Sequence, residues 1–406
     1  MTGDLVSVPS EKAGQQPEWE DLSRLRRARE TLAGRPGLVE AHDVETLRGQ
    51  LARVSAGAAE VVQAGDCAED PAECTASDVA RKVAVLDLLA GAMKLAGHRP
   101  VVRAGRIAGQ FAKPRSQPTE RFGDLELPVY RGHLVNGPAP EPEERSADPL
   151  RLVTGYMAAA DIMGHLGWGR PGGIEHPVWT SHEALVLDYE LPLLRRGADG
   201  GLLLASAHWP WIGERTRQAD GPHVALLAQV LNPVAVKVGP GIDRDELLAL
   251  CGRLDPERTP GRLTLIVRMG ARTVAERLPP LVRAVRSAGH PVVWLVDPMH
   301  GNTVVTPSGH KTRYVRTMQR EVREFRAALM EEGAFPGGLH LETTPDQVTE
   351  CVLDEWEADR VGKAYTSFCD PRLTVDQALD LLEAWTALPS PAMRPPGGTR
   401  QEAHDG

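Results

Sequence analysis

Short apolar runs alternate with longer amphipathic segments from Val61 to the neighbourhood of Leu388. Most of the runs are rich in β-branched residues, and they lie at Val61–Ala64, Pro100–Ala104, Gly201–Ala205, Val234–Val238, Leu263–Val267, Pro291–Val296, Gly338–Leu341 and Ala364–Phe368. Most are separated by segments long enough for a helix, such as Ala80–Ala96, Ser181–Arg196, Arg272–Ala288, Arg313–Glu331 and Val375–Ala387. Apolar strands that alternate with amphipathic helices are typical of a parallel sheet covered by helices. The eight runs therefore predict an α/β fold, a closed (β/α)8 TIM barrel.

An open doubly wound sheet is the alternative to the barrel. No G-x-G-x-x-G follows any of the runs, so the sequence gives no support to dinucleotide binding. Residues 1–60 are polar and Ala-rich with helical periodicity, and they predict a helical extension before a catalytic barrel at 61–388. The tail at 389–406 is rich in Pro, Gly and charge, which is typical of disorder.

Composition and charge exclude several classes of protein. The 406-residue chain carries a formal net charge of −9, which argues against a general binder of nucleic acid or of anionic membranes. No apolar run approaches the roughly 18 residues of a membrane span. The first residues lack the basic and apolar regions of a signal peptide. The five cysteines are too scattered for a secreted disulfide scaffold, so we expect a soluble cytoplasmic protein.

Polar residues cluster where the predicted strands end. In a barrel of this kind the functional side chains lie at the carboxyl ends of the strands. The most informative stretch is Ser206–Gln218, because it places Glu214, Arg215 and Arg217 directly beyond a buried apolar run. Arg is the side chain best suited to bidentate binding of phosphate or carboxylate. The strand ends are occupied, in chain order, by Asp66, Cys67, Arg106, His208, Glu214, Arg215, Lys237, Arg268, His300, Glu342 and Asp370.

Four of these residues are candidate metal ligands: Cys67, His300, Glu342 and Asp370. One thiolate, one imidazole and two carboxylates suit Mn²⁺, Fe²⁺, Co²⁺ or Zn²⁺ better than Ca²⁺ or Mg²⁺. Taken singly, each has another explanation, since a lone Cys is often a small buried hydrophobe and the others could cap turns or helices. The prediction of a metal site depends on their equivalent positions on different strands.

A second group of strand-end and loop residues is cationic: Arg106, Lys113, Arg115, Arg215, Lys237 and Arg268. Three of them lie within otherwise apolar sequence, and buried cations without partners are costly. Structural ion pairs would be one explanation. An anionic ligand with phosphate and carboxylate groups would explain them together, and Ser116 adds a hydroxyl donor beside Lys113 and Arg115.

With these residues assembled, the chain resembles a type II (plant-like) 3-deoxy-D-arabino-heptulosonate 7-phosphate (DAHP) synthase. The family condenses phosphoenolpyruvate with erythrose 4-phosphate at the entry to the shikimate pathway. The resemblance spans about Val61 to Leu388 and depends on Gln63–Glu69, Gly105–Gln110, Lys113–Ser116, Tyr130–Gly132, Val135–Gly137, Ser181–Glu183, Gly213–Gln218, Asn232–Pro240, Asp297–Thr303, His340–Glu342, Val348–Cys351 and Cys369–Leu373.

The resemblance implies a role for each candidate residue. Cys67, His300, Glu342 and Asp370 would bind a divalent metal, with Mn²⁺ expected and Co²⁺ or Zn²⁺ as alternatives. Phosphoenolpyruvate would be held by Arg106, Arg215, Lys237 and Arg268, with Glu214 beside them. Erythrose 4-phosphate would meet Lys113, Arg115 and Ser116. Either Lys113 or Glu214 would manage the proton of the water that adds during the reaction.

The chain departs from the family pattern between Gly164 and Thr180. Members that supply aromatic amino acids commonly carry a helical pair there, but this segment has only about 17 residues. We therefore expect weak or no feedback by Phe, Tyr and Trp, a role in secondary metabolism such as an antibiotic or phenazine route, and a homodimer. A further expectation is that Cys369 lies near Cys67, where oxidation could join them; an inert buried thiol is the alternative.

Other functions stay open on the sequence alone. An amino-sugar variant would use an imino analogue of erythrose 4-phosphate, and no residue discriminates it from the synthase. A barrel that binds without catalysing is a second alternative, although the complete set of metal-ligand and cationic residues argues against it. No sequence feature identifies a regulatory partner such as a chorismate mutase.

Overall fold

A parallel sheet of eight strands forms the centre of the computed structural model, which describes residues 8, 13–169, 177–197 and 200–387. The strands follow the order β5-β2-β1-β14-β11-β10-β9-β8, and every neighbouring pair is parallel. Their bounds are β1 Glu60–Gly65, β2 Val101–Arg106, β5 Trp179–Thr180, β8 Trp211–Ile212, β9 Val234–Val238, β10 Leu263–Val267, β11 Val293–Val296 and β14 Pro336–Glu342.

Six of the eight predicted strands belong to this sheet, and two predictions were wrong. The run Gly201–Ala205 contains β7 (Leu202–Leu204), which pairs antiparallel with β6 (Leu194–Arg196) outside the large sheet. The run Ala364–Phe368 forms a turn and loop. The sheet uses β5 and β8 instead, and their two-residue length leaves no apolar run for a pattern to detect.

The two end strands of the sheet are linked by further hydrogen bonds just beyond β5. Glu183 and Trp211 form an isolated parallel bridge. The amide of Trp211 donates to the carbonyl oxygen of His182 at 3.0 Å, and the amide of Ala184 donates to that of Trp211 at 3.0 Å. The segment that follows β5 therefore lies alongside β8.

Helices cover the sheet, and short hairpins complete the structure. The helices are α1 Leu22–Ala33, α2 Ala41–Ser55, α3 Ala76–Gly97, α4 Pro142–Arg145, α5 Leu150–His165, α6 Leu187–Glu190, α7 Pro222–Leu227, α8 Arg244–Leu254, α9 Val274–Ser287, α10 Val315–Glu331 and α11 Val375–Thr386. The hairpins are β3 Thr119–Phe122 with β4 Leu125–Pro128, and β12 Val304–Val305 with β13 Lys311–Thr312. Among the described residues, no helix has the length and apolar character needed to cross a bilayer.

Four of the five predicted helical segments are helices, and their ends follow local chemistry. Helix α3 begins at a capping box in which Thr75 and Asp78 satisfy each other's backbone amides, and α11 begins with a similar box. The prediction of one long helix at Ser181–Arg196 was wrong. That segment holds only α6, a 3₁₀ turn at Leu191–Leu193 and β6, because its residues are drawn into the end of the sheet and into a hairpin.

Helix α2 packs against the amino-terminal parts of the sheet strands. Its Leu47, Leu51 and Val54 are fully buried in one apolar cluster with Val293 and Leu295 of β11. The part of the chain before residue 61 therefore contributes to the core. The tail predicted at 389–406 lies outside the described residues.

Candidate active site

The registers of the sheet bring the carboxyl ends of its central strands level with one another. Gly65 at the end of β1 pairs with Arg106 at the end of β2 and with Glu342 at the end of β14. Cys67 follows two residues after Gly65. The carboxyl ends of parallel strands lie at one edge of the sheet, where α/β enzymes bind their ligands.

The four predicted metal ligands come together at this edge. One ligand atom from each of Cys67, Glu342 and Asp370 lies within 4.8 Å of the others. His300 adjoins them, because its Nε2 atom lies 3.3 Å from Oε1 of Glu342. The predicted grouping of one thiol, one imidazole and two carboxylates is therefore present in space.

Each carboxylate of the cluster is held by a cation from the segment around the hairpin β12–β13. Nη1 of Arg313 donates to Oε2 of Glu342 at 2.7 Å. Nζ of Lys311 donates to Oδ1 of Asp370 at 2.9 Å. These contacts orient Oε1 of Glu342 and Oδ2 of Asp370 toward the other ligand residues, as outer partners of metal ligands commonly do.

The imidazole of His300 is oriented in the same way. Its Nδ1 atom lies 2.7 Å from Oδ2 of the fully buried Asp297. A proton on Nδ1 leaves the lone pair on Nε2, the atom that faces Glu342. Asp297 also forms a close ion pair with Lys237, so one carboxylate connects a candidate ligand to a candidate anion-binding residue.

The chemistry of the donor set fits a divalent transition metal. Burial by itself raises the pKa of Glu342, but the charges of His300 and Lys113, with two arginines, outweigh it and hold that pKa well below its usual range. Nζ of Lys113 lies 3.3 Å from Oε1 of Glu342 and 3.3 Å from Oδ2 of Asp370. Burial raises the pKa of the Cys67 thiol, so metal binding there would release a proton.

Two buried cations of the predicted anion site are held by the protein itself. Arg106 is only 2% exposed, and it donates to Oε1 of Glu342 at 2.9 Å and lies 2.7 Å from Nε2 of His340. Lys237 pairs with Asp297, yet burial lowers the pKa of Lys237 to about 8. Ion pairs within the protein therefore offset part of the cost of burying these two cations. This is the structural explanation that the sequence left open as an alternative.

The other cations surround an open cavity. Nη2 of Arg268 donates to the carbonyl oxygen of His300 at 3.3 Å, and its Nε atom is buried without a partner in the described chain. Nη2 of Arg215 donates to Oγ of Ser116 at 2.5 Å. The cavity measures about 430 Å³ and is lined by Lys113, Pro114, Arg115, Ser116, Gln117, Thr119, Glu120, Val129, Arg215, Arg268, His300, Thr303, Lys311, Arg313 and Asp370.

Of the eleven strand-end residues, Arg215, Arg268, His300 and Asp370 line this cavity. Two of the others, Glu214 and His208, have partners elsewhere. Oε1 of Glu214 accepts from Nη2 of Arg217 at 2.9 Å, and Glu214 does not line the cavity. His208 is buried between Trp168 and Trp179, and burial lowers the pKa of its imidazole to about 3. A larger cavity of about 690 Å³ lies between α2, α3 and β2, and it contains none of the predicted site residues.

The sequence interpretation missed the residues that orient the ligands: Asp297, Lys311 and Arg313. Asp297 carried a usable signal, because it lies three residues before His300 at the end of a predicted strand. Lys311 and Arg313 lie on and beside the small hairpin β12–β13, and only the tertiary structure brings this hairpin to Glu342 and Asp370.

The fold and the site together define an α/β enzyme with a candidate metal centre beside a cationic cavity for a small anionic substrate. The class-II DAHP synthetase family model matches residues 4–176 and 169–385. The chain therefore belongs to this family, as its sequence predicted. It is a transferase that catalyses the first step of the shikimate pathway, in agreement with the activity of its relatives.

Individual relatives cover nearly the whole chain. A probable phospho-2-dehydro-3-deoxyheptonate aldolase from Pseudomonas fluorescens is 57% identical over 385 residues, which are 94% of this chain and 96% of the relative. The phospho-2-dehydro-3-deoxyheptonate aldolase of Streptomyces coelicolor is 40% identical over 420 residues, covering 91% and 93%. The solved structure of a phospho-2-dehydro-3-deoxyheptonate aldolase from Francisella tularensis aligns with a TM-score of 0.53 at 14% identity, over 88% of this chain and 95% of that one. This last likeness supports the fold alone.

Proposed function

We propose that the chain condenses phosphoenolpyruvate with erythrose 4-phosphate at the edge formed by Cys67, His300, Glu342 and Asp370, with Mn²⁺ as the metal and Co²⁺ or Zn²⁺ as alternatives. The observation that carries the proposal is the juxtaposition of this ligand cluster with the cationic cavity, since His300 and Asp370 belong to both. The four donors fit a borderline divalent ion better than Ca²⁺ or Mg²⁺.

We further propose that the sheet is a closed (β/α)8 barrel. The support is the set of hydrogen bonds between the segment after β5 and β8, at opposite ends of the strand order. A closed barrel places all carboxyl strand ends around one site, which is where the ligand cluster and the cations lie.

Different groups of side chains would bind the two substrates. Arg106 and Lys237 lie on β2 and β9, Arg268 follows β10 directly, and all three would hold phosphoenolpyruvate together with Arg215. The loop residues Lys113, Arg115 and Ser116 line the open cavity and would hold erythrose 4-phosphate. Fixing both anions in place brings C3 of the enol close to the aldehyde carbon and lowers the entropic part of the barrier.

A bound divalent metal supplies Lewis acidity toward the aldehyde oxygen. Positive charge develops at C2 of phosphoenolpyruvate as C3 attacks, and water adds there before phosphate leaves. The arginines stabilise the departing phosphate. Burial by itself lowers the pKa of Lys113, but the negative groups around it, the Glu342 and Asp370 carboxylates among them, outweigh burial and hold that pKa well above its usual range. Lys113 is therefore suited to donate hydrogen bonds and not to accept a proton.

The metal-dependent reaction is tested by loss of phosphoenolpyruvate and release of phosphate in the presence of erythrose 4-phosphate. We expect turnover with Mn²⁺-loaded protein, none after chelator treatment, and recovery on adding metal. No turnover under reducing, metal-replete conditions would contradict the proposal. Turnover with the imino analogue alone would then identify an amino-DAHP synthase, and none with either substrate would indicate a binding role.

We propose that aromatic amino acids have little effect on this activity and that the enzyme serves secondary metabolism. The segment from Gly164 to Thr180 is too short for two regulatory helices, and residues 170–176 of it lie outside the described chain. Titration with Phe, Tyr and Trp, singly and combined, is expected to change the rate by less than about twofold. Strong inhibition by any combination contradicts this. The predicted homodimer and cytoplasmic location stay predictions, and no residue points to a chorismate mutase partner.

We propose that oxidation joins Cys67 to Cys369. Both are free thiols, and Sγ of Cys67 accepts a hydrogen bond at 3.2 Å from the amide of Asp370, the residue that follows Cys369. A mild disulfide-exchange oxidant would remove two protons and two electrons and form the bond. We expect reversible loss of activity that Cys369→Ser resists; unchanged activity of the unsubstituted enzyme contradicts the proposal.

A further inference from the structure

The segment of the chain before α1 contacts the loop that would bind erythrose 4-phosphate. Oε1 of Gln15 accepts a hydrogen bond at 2.8 Å from the amide of Arg115. The carbonyl oxygen of Gln15 accepts a second one at 3.2 Å from Nη1 of Arg131. The sequence assigns Gln15 only to a helical extension before the barrel, and the reaction described above makes no use of it.

Gln15 belongs to a ring of hydrogen bonds that includes both ends of the segment Lys113–Arg115. The amide of Lys113 donates to the carbonyl oxygen of Arg131 at 2.8 Å. Arg131 therefore connects Gln15 to one end of this segment, and the amide of Arg115 connects Gln15 directly to the other. Pro114, between them, has no amide hydrogen to donate. Both amides that can donate are thus paired, one with Gln15 and one with a residue that Gln15 contacts.

The segment that carries Gln15 is itself attached to the chain beyond β5. Nε2 of Gln16 donates to the carbonyl oxygen of Leu185 at 2.8 Å, and its Oε1 atom accepts from the amide of Leu187 at 2.9 Å. Nε1 of Trp19 donates to Oδ2 of Asp188 at 2.8 Å. These contacts with α6 and the residues before it give the loop a fixed point of attachment.

The backbone of Gln15 lies in the left-handed region, with a φ of 64°. Glycine adopts this conformation without strain and asparagine does so more readily than most residues, whereas other side chains adopt it at a cost in free energy. The side chain present is one whose amide oxygen reaches the backbone of Arg115. A long side chain at a position suited to glycine indicates that the side chain has a specific use.

The loop that Gln15 contacts is the one that would bind the second substrate. Lys113, Arg115 and Ser116 line the cavity, and Gln15 does not. A loop that is ordered before binding spares the ligand the free-energy cost of ordering it. Without the hydrogen bond from Arg115 to Gln15, a smaller fraction of the protein has the loop in its binding position, and the apparent affinity falls by that fraction.

We propose that Gln15 is a positioning residue for the binding of erythrose 4-phosphate, an inference that rests on the proposed function. It acts through Arg115 and Arg131 and contacts neither substrate. Because bound erythrose 4-phosphate itself holds the loop, removal of the Gln15 side chain weakens binding of this substrate. The chemical step and the binding of phosphoenolpyruvate are unchanged.

The test is Gln15→Gly, which suits the left-handed backbone and removes the side chain. The KM for erythrose 4-phosphate is expected to rise about 3- to 10-fold, the range that one hydrogen bond supplies. The kcat, and the dissociation constant for phosphoenolpyruvate measured by titration calorimetry on metal-loaded protein, are expected to stay within about twofold. Gln15→Asn also suits this backbone but is one methylene shorter. It is expected to raise the same KM, which excludes added backbone flexibility as the cause.

His98→Gly is the matched control, because His98 is also left-handed, with a φ of 52°, but ends α3 at the amino-terminal side of β2. It is expected to leave the KM for each substrate within about twofold. An unchanged KM for erythrose 4-phosphate in Gln15→Gly overturns the proposal. An equal rise in the KM for both substrates also overturns it, because the whole site would then have loosened. If the unsubstituted enzyme shows no erythrose-dependent turnover, the proposed function fails first, which separates the two failures.

Discussion

Replacing Glu342 by Gln is expected to abolish turnover, to lower metal affinity by more than about 100-fold and to destabilise the protein by about 3–5 kcal/mol. Glu342 is fully buried and contacts Arg106, Lys113, His300 and Arg313. Removing one member of a buried ionic network leaves the others uncompensated. Loss of an outer partner alone commonly lowers metal affinity about 10- to 100-fold, and loss of a ligand should exceed this.

Equilibrium dialysis against Mn²⁺ and thermal unfolding of metal-free protein measure the two effects separately. Glu357→Gln is the matched control, since its 2.7 Å pair with Arg360 is solvent-accessible. That substitution is expected to change stability by less than about 1 kcal/mol and to leave metal affinity unchanged. Full metal affinity in Glu342→Gln would contradict the assignment of Glu342 as a ligand.

Replacing Lys237 by Met is expected to lower kcat/KM for phosphoenolpyruvate by about 10²- to 10³-fold, the size of effect seen when one stabilising charge donor is removed from a site. Lys237 is 5% exposed and forms a close ion pair with Asp297. The substitution removes a positive charge from the anion site and leaves Asp297 paired with His300 alone. Both changes weaken the site without altering the loop that would bind erythrose 4-phosphate.

The pH dependence of the KM for phosphoenolpyruvate is a second test of the role of the Lys237 charge. Burial lowers the pKa of Lys237 from 10.5 to about 8, so its charge is present below pH 8 and is lost as the pH rises through that value. The KM for phosphoenolpyruvate should therefore rise above pH 8 in the unsubstituted enzyme and lose this rise in Lys237→Met. Lys94→Met, at an exposed position of α3, should retain it. A rise that persists in Lys237→Met would assign it to another group.

Apolar patterning predicted the parts of the fold that carry long buried runs. Strands such as Val234–Val238 and Leu263–Val267 are buried along their whole length, and such strands leave a continuous apolar signal. Trp179–Thr180 and Trp211–Ile212 contain two residues each and leave none. Leu202–Leu204 produced the same signal as a sheet strand, because burial in a hairpin and burial in a parallel sheet require the same residues.

The candidate site could be predicted where a residue with a charged or metal-ligating side chain lies at the end of a strand. Cys67, Glu342 and Lys237 could be placed by this rule because the carboxyl ends of barrel strands share one site. Asp370 reaches the site from a loop, and Arg313 from the start of a long helical segment. Their partners depend on the packing of distant segments. His208 satisfied the same rule and yet lies buried between two tryptophans, so position at the end of a predicted strand does not by itself identify a site residue.

The packing of α2 implies that its apolar face stays uncovered while much of the chain is still being synthesised. Leu51 leaves the ribosome about 240 residues before Leu295, with which it shares a fully buried cluster. At a synthesis rate of about 5–20 residues per second, the apolar face of α2 waits on the order of 10–50 s for this strand. The helix therefore remains a site for chaperones or for aggregation until translation has passed β11. A slower ribosome lengthens this interval, so expression at low temperature prolongs the exposure while it weakens the hydrophobic attraction that drives aggregation.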